Sequence, residues 1–87
     1  MLRITATEAR DQPVTLRLEG QLIGPWVAEL RRACQDVLRQ GQTLTLDLAD
    51  VSFLDADAIA LVQALATRRV ALRNCSPFVA EQLRVRA

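Results

Sequence analysis

The fold is decided at residues 44–57, which read LTLDLADVSFLDAD. Leucines alternate with polar or small residues in the first half of this stretch, a spacing typical of a strand with one buried face. In the second half, Asp55 is a favourable N-cap for a helix that we expect to run to about Arg68. The stretch therefore predicts a half-buried strand that leads into a helix.

The other elements are predicted by the same two spacings and by the residues that begin or end a helix. A turn signal at 11–13 separates two strands that should pair as an antiparallel hairpin. Two helices should begin with a proline in the first turn, and Gly41 should end the first of them. These further elements are a strand around Leu2 and Ile4, a strand at 14–18, a helix from Pro25, a short strand at 70–72 and a helix capped by Ser76.

The predicted order is ββαβαβα, in which helices join successive strands and imply parallel pairing with right-handed crossovers. Strands covered on both faces would read as continuous apolar runs, whereas the second and third strands are apolar on one face only. Their other face should lie toward solvent, with Thr15, Arg17, Thr45 and Asp47 on it. We therefore predict a single α/β domain over residues 1–87, a two-layer sandwich whose four-stranded, mostly parallel sheet has all helices on one face.

Two of the predicted helices have an apolar stripe. On the first, Trp26 shares the stripe with Leu30 and Cys34, so we expect this indole in or near the core and not as a platform for a ligand. On the second, the predicted inward stripe is Ile59, Val62, Leu65 and Ala66. Another side of this helix is flat, small and partly apolar, and would suit docking. That side carries Asp57, Ala60, Leu61, Ala64 and Arg68, although Leu61 packing beneath a neighbouring helix stays open as an alternative.

Composition and charge exclude several classes of protein. With 11 basic and 10 acidic residues, the net charge of +1 is too balanced for binding nucleic acid by phosphate neutralisation. No apolar run approaches the roughly 20 residues that span a bilayer, and the N-terminus does not read as a signal peptide, so we expect a cytoplasmic protein without membrane insertion. Cys34 and Cys75 are far apart and histidine is absent, so no metal site is expected. Lysine and tyrosine are also absent, and we expect neither catalysis nor a cofactor.

In their order and spacing, several motifs resemble a STAS domain, the fold of bacterial anti-sigma factor antagonists. The resemblance covers nearly the whole chain and rests on LEGQL at 18–22, GPW at 24–26, LDL at 46–48 and VSFLD at 51–55. It implies a non-catalytic regulatory module that binds another protein, often an anti-sigma kinase, beside the start of the second helix. Two alternatives are an accessory subunit docked on the ATPase of a membrane transport complex, and a binder of a nucleotide or lipid in a groove beside the first loop.

The family's usual motif at the start of the second helix is an aspartate, two serines and a glycine, and phosphorylation of the second serine releases the partner. The corresponding residues here are Asp55, Ala56, Asp57 and Ala58, so no phosphorylation is expected at Asp57. Ser52 is the nearest remaining hydroxyl, but it precedes the helix by several residues and is a poor substitute. A carboxylate has less charge and fewer acceptors than a phosphate. Asp57 would therefore mimic phosphoserine partially, or match a basic contact on a different partner.

The resemblance and the helical spacing together predict one partner-binding surface. It comprises Asp55, Ala56, Asp57, Ala58, Ala60, Leu61 and Ala64, beside the loop residues Gln21, Leu22, Ile23 and Gly24. Family members often have an acidic residue where Ile23 stands, so this loop departs from the pattern. Its glycines weakly suggest phosphate binding, but the spacing is not that of a P-loop, and a turn from strand to helix explains them better.

Overall fold

Seven elements follow one another in the predicted order in a computed structural model that describes residues 2–8, 11–68 and 70–85. They are β1 (Leu2–Thr7), β2 (Val14–Leu22), α1 (Pro25–Arg39), β3 (Leu44–Leu54), α2 (Ala56–Ala66), β4 (Ala71–Arg73) and α3 (Pro77–Val85). The second helix ends two residues before the expected Arg68, which lies in a turn. Among the described helices, none is long and apolar enough to cross a bilayer.

The four strands form one sheet in the order β1-β2-β3-β4. The first pair is antiparallel, and the β2–β3 and β3–β4 pairs are parallel, as the hairpin and the crossover helices predict. The apolar face of the sheet, represented by Leu18 and Leu46, is fully buried with Leu30 of α1, Val62 of α2 and Val79 of α3. The prediction of a two-layer sandwich with helices on one face is therefore confirmed.

One residue of the open sheet face is not exposed as predicted. Arg17 lies toward solvent and Asp47 is half-buried, but Thr45 is only 6% exposed. The reason is its place in the central strand, because Thr45 lies in register between Thr15 of β2 and Ala71 of β4. Neighbouring side chains on both sides cover it, so the sequence alternation alone was wrong about its exposure.

The third strand carries register irregularities that alternation did not predict. Opposite β2, the pairing shifts between Arg17 and Glu19 and again between Gly20 and Gln21, so β3 holds extra residues at both places. Extra residues bend a strand and change which side chains face inward. Leu48, Val51 and Leu54 are consequently all buried although they are three residues apart. The end of β3 is thereby aimed so that Asp55 meets the loop after β2.

The helices bury the faces that the apolar stripes predicted, with two differences on α2. Trp26 is half-buried against the core, as expected for a packing role, and Cys34 is fully buried. Burial raises the pKa of the Cys34 thiol to about 12. On α2, however, Ala66 is exposed because it is the last helical residue and lies at the margin of the stripe. Leu61 belongs to the core at 8% exposure, which favours the alternative in which it packs beneath a neighbouring helix.

Candidate functional site

The predicted loop residues and the start of α2 meet at one edge of the sheet. Leu22 and Leu54 end the parallel strands β2 and β3 and are direct partners in the register. Because parallel strands present their carboxyl ends at the same edge, the loops that follow them are neighbours. Ile23 and Gly24 therefore lie beside Asp55, although about thirty residues separate them in the sequence.

Asp55 uses both of its carboxylate oxygens. Its Oδ1 accepts a hydrogen bond from the backbone N–H of Ala58 at 2.8 Å, which confirms the predicted N-cap of α2. Its Oδ2 accepts from the backbone N–H of Gly24 at 2.9 Å, and its own N–H donates to the carbonyl of Leu22 at 3.2 Å. One side chain thus joins the start of α2 to the loop before α1, a link that sequence reasoning missed.

Gly24 needs its glycine for conformational reasons. Its φ of 55° and ψ of −131° lie where residues with a side chain rarely go. A Cβ at this position would meet no heavy atom within 4 Å, so the constraint comes from the backbone and not from crowding. This conformation turns the chain from β2 into α1, as the turn interpretation of the loop predicts, and it points the Gly24 N–H toward Asp55.

The four residues at the motif differ in their access to a partner. Ala56 and Asp57 are exposed, and Asp55 is half-buried. Ala58 lies on the inner side of α2 and is fully buried. Asp57 lies in the first turn of α2, where the helix dipole favours a negative charge. A partner that approaches this end of α2 would therefore meet Ala56 and the Asp57 carboxylate first, while Asp55 and Ala58 hold the helix in place.

A groove of about 310 Å³ lies between α1 and α2 and continues from this end along both helices. It brings together Asp57, Ala60, Leu61 and Ala64, four of the predicted partner-binding residues. The remaining lining residues are Arg31, Gln35 and Leu38 of α1 with Leu65 and Arg68 of the α2 segment. Sequence reasoning missed the α1 wall, although the spacing of Arg31, Gln35 and Leu38 at i, i+4 and i+7 is the signal of one helix face.

Ser52 lies in β3 and is exposed. Its hydroxyl donates a hydrogen bond to the carbonyl of Gly20 at 3.3 Å. It therefore sits on the strand, three residues before the N-cap of α2, and not at the helix start where the family's phosphoacceptor is expected.

Two exposed aromatic residues lie next to each other near the end of β3. The rings of Phe53 and Phe78 have centroids 6.5 Å apart and are inclined by 28°, with 42% and 53% of the residues exposed. One turn after Phe78, the Gln82 side chain donates to the carbonyl of Leu54 at 3.1 Å and holds α3 against the strand. The two rings form a small exposed apolar surface, and one of them, Phe53, is two residues before Asp55 in the chain.

On the open sheet face, the charged side chains of Arg17, Asp50 and Asp47 have ion-pair or hydrogen-bond partners within the domain. Arg17 forms an ion pair with Asp50, its Nε donating at 3.2 Å. Asp47 Oδ1 accepts from the backbone N–H of Ala49 and from the Asn74 side chain, and these bonds hold the pKa of Asp47 below its usual value. In the part of the chain that the structure describes, no three acidic, cysteine or histidine side chains are grouped closely enough to hold a metal ion.

Comparison with known proteins identifies the family. The family model described as "Mlab, STAS domain" matches residues 5–86, nearly the whole chain. This chain belongs to the STAS family. The prediction of a STAS domain from the sequence motifs is therefore confirmed. A separate comparison with curated protein sequences found no significant match.

Solved structures share the fold of this STAS domain. The unphosphorylated form of the anti-sigma factor antagonist SpoIIAA matches with a TM-score of 0.76 and 22% identity, over 94% of this chain and 82% of that one. A protein of the DUF3478 family from Shewanella loihica PV-4, with a SpoIIAA-like fold, matches with a TM-score of 0.55 and 16% identity, over 82% of this chain and 65% of that one. The domain thus has the anti-sigma factor antagonist fold.

Proposed function

We propose that this STAS domain is a non-catalytic regulatory module that binds a partner protein at the start of α2. The observation that carries the proposal is the double hydrogen bond of Asp55, which fixes the α2 N-terminus against the loop at Gly24. A surface held in place before binding loses less conformational freedom when the partner arrives. Ala56 and Asp57 are the exposed residues of that surface.

Asp57 would give this surface a permanent negative charge. A phosphoserine carries about −1.5 to −2 charges at neutral pH, whereas a carboxylate carries −1 and cannot be removed by a phosphatase. The family's phosphorylation switch therefore does not operate at this position in our proposal. Either the domain is held in a state like the phosphorylated one, or its partner has a basic group opposite Asp57.

The chemistry of the surface supports binding over catalysis. The ionisable side chains that line the groove are Arg31, Asp57 and Arg68. Neither guanidinium group is a proton acceptor, and a lone exposed carboxylate lacks the positioned partner that general acid–base catalysis requires. An anti-sigma kinase or a transporter ATPase would meet the domain in the cytoplasm, where both classes find their nucleotide, and we propose that location for it.

The proposal is tested by capturing the partner from native cells with the tagged domain. The amount captured by the wild type is compared with the amounts captured by two matched variants. Asp57→Asn removes the charge and keeps the shape, while Glu81→Gln removes an exposed charge on α3, outside the proposed surface. We expect Asp57→Asn to weaken capture of the wild-type partner at least several-fold and Glu81→Gln to leave it unchanged. Equal capture by all three proteins would contradict docking at the start of α2.

A small ligand is distinguished by a separate measurement. A nucleotide or lipid that binds the folded domain raises its melting temperature. We expect ATP, GTP and dispersed phospholipid to leave the melting temperature unchanged. A rise that Asp57→Asn or Gly24→Ala abolishes would instead favour ligand binding beside the first loop.

A further inference from the structure

The groove between α1 and α2 differs in charge from one end to the other. Since β2 and β3 are parallel and each is followed by its helix, α1 and α2 run in the same direction. Asp57 lies at the beginning of α2, whereas Arg68 follows its end. Arg39 ends α1 and, with Arg68, lines a shallow depression of about 460 Å³ at that end. The groove is thus acidic where α2 begins and basic where both helices end, with Arg31 adding a positive charge near its middle.

The arginines of this groove have no carboxylate partner among the residues described. Among the described residues, the ion pair is between Arg17 and Asp50, which lie on the sheet and outside the groove. Arg31, Arg39 and Arg68 are all exposed. Arg31 and Arg39 are eight residues apart on α1, about 12 Å along the helix axis. Guanidinium groups so far apart suit an extended acidic partner better than a single phosphate.

The floor of the groove suits a helix. Ala60 and Ala64 are exposed one turn apart on α2, and their small side chains let another backbone approach closely. Leu61 and Leu65 lie between and below them in the core. From Asp57 to Arg68 the groove extends for about three helical turns, or roughly 16 Å. An amphipathic helix laid in such a groove buries its apolar side and keeps its charges at the rim.

We infer, as an extension of the proposed function, that the groove binds an amphipathic helix of the partner that runs antiparallel to α1 and α2. Acidic residues near the start of that helix lie opposite Arg39 and Arg68, and another near its middle lies opposite Arg31. A basic residue near its end lies opposite Asp57. The helix dipole favours the same arrangement, because acidic residues are preferred at helix N-termini and basic ones at C-termini. Both effects therefore select one orientation.

The test uses stapled 14-residue helical peptides, so that peptide folding does not limit binding. One peptide has alanine and leucine on its apolar face, glutamates in its first half and a lysine near its end. Its control has glutamine in place of each glutamate. We expect the glutamate peptide to bind the domain at least tenfold more tightly in fluorescence anisotropy. A spin label at its N-terminus should broaden the amide signal of Thr67 more strongly than that of Asp57.

Protein variants assign the contacts. Arg31→Gln with Arg68→Gln should remove the tenfold preference, whereas Arg32→Gln, an exposed arginine of α1 outside the groove, should keep it. Equal affinity for the two peptides, binding by neither, or stronger broadening at Asp57 than at Thr67 would overturn the inference. So would binding only to phosphatidylglycerol vesicles, which would assign the arginines to a membrane. None of these results alters the Asp57→Asn capture experiment, so failure of the groove and failure of the proposed function remain distinct.

Discussion

The Asp55 carboxylate accepts hydrogen bonds from two backbone N–H groups, that of Ala58 in its own helix and that of Gly24 in the loop before α1. The two donors belong to the starts of two different helices. A residue predicted as a helix cap therefore also holds the two loops of the candidate site together. Its loss should affect the site as a unit and not α2 alone.

Asp55→Ala should lower the free energy of unfolding by about 2 kcal/mol. A lost N-cap typically costs about 1 kcal/mol, and the hydrogen bond to Gly24 adds a similar amount. Urea unfolding followed by circular dichroism measures the difference. The control is Asp57→Asn, an exposed residue of the same turn, for which we expect a loss of at most about 0.5 kcal/mol. A loss of only about 1 kcal/mol would show that the link to Gly24 contributes nothing, and equal stability of the two variants would show that neither bond contributes.

Gly24→Ala should destabilise the domain by about 1–3 kcal/mol, because alanine is strained at the φ and ψ of this residue. The matched control is chemical synthesis with D-alanine at position 24, since the φ of 55° and ψ of −131° mirror an ordinary extended conformation and therefore suit a D-residue. We expect the D-alanine protein to be about as stable as the wild type. Similar losses for both proteins would show that backbone strain is not the reason for the glycine at this position.

Partner binding should respond to substitutions on the exposed rim of the α1–α2 groove. We expect Asp57→Ser to change the affinity through the lost charge and Ala64→Arg to block docking, because a long charged side chain would fill the groove. Leu61→Arg is unsuitable for this purpose, since Leu61 is buried and the variant would disturb the core.

The control for these variants is Ala28→Arg, which places the same side chain at an exposed position of α1 outside the groove. The affinity for the captured partner is measured by surface plasmon resonance. Folding of each variant is checked by circular dichroism. Unchanged affinity for both Asp57→Ser and Ala64→Arg would move the docking site elsewhere, most simply to the open sheet face.

Asp47 should titrate below the ordinary pKa of an aspartate. The Ala49 N–H and the Asn74 side chain hydrogen-bond its charged form and lower its pKa, so this group stabilises the fold above about pH 3.8, its unperturbed value. That stabilisation is lost as the pH falls through the lowered pKa. Carboxyl-carbon NMR titration should show the Asp47 pKa rising toward the ordinary value in Asn74→Ala. An unchanged pKa would assign the shift to the Ala49 N–H and to the smaller attraction of Arg17 and Arg73.

Local signals in the sequence were sufficient for the elements and for the fold class. Alternating leucines at 44–48 predicted a strand with one buried face, because side chains of a strand point to opposite sides in turn. Asp55 and Ser76 were predicted as caps, and both accept the expected backbone hydrogen bond three residues later. These interactions span a few residues, so the sequence around each one contains the groups that make it.

Contacts between distant segments were decided only by the tertiary structure. The bond between Asp55 and Gly24 joins residues 31 positions apart and depends on the register shifts of β2 against β3. The burial of Thr45 and Leu61 likewise depends on neighbouring elements. The sequence by itself determined the order of the elements, the caps of α2 and α3 and most of the buried faces, because those preferences are local. Which of them meet to form the site followed from how the elements pack, and no local spacing contains that information.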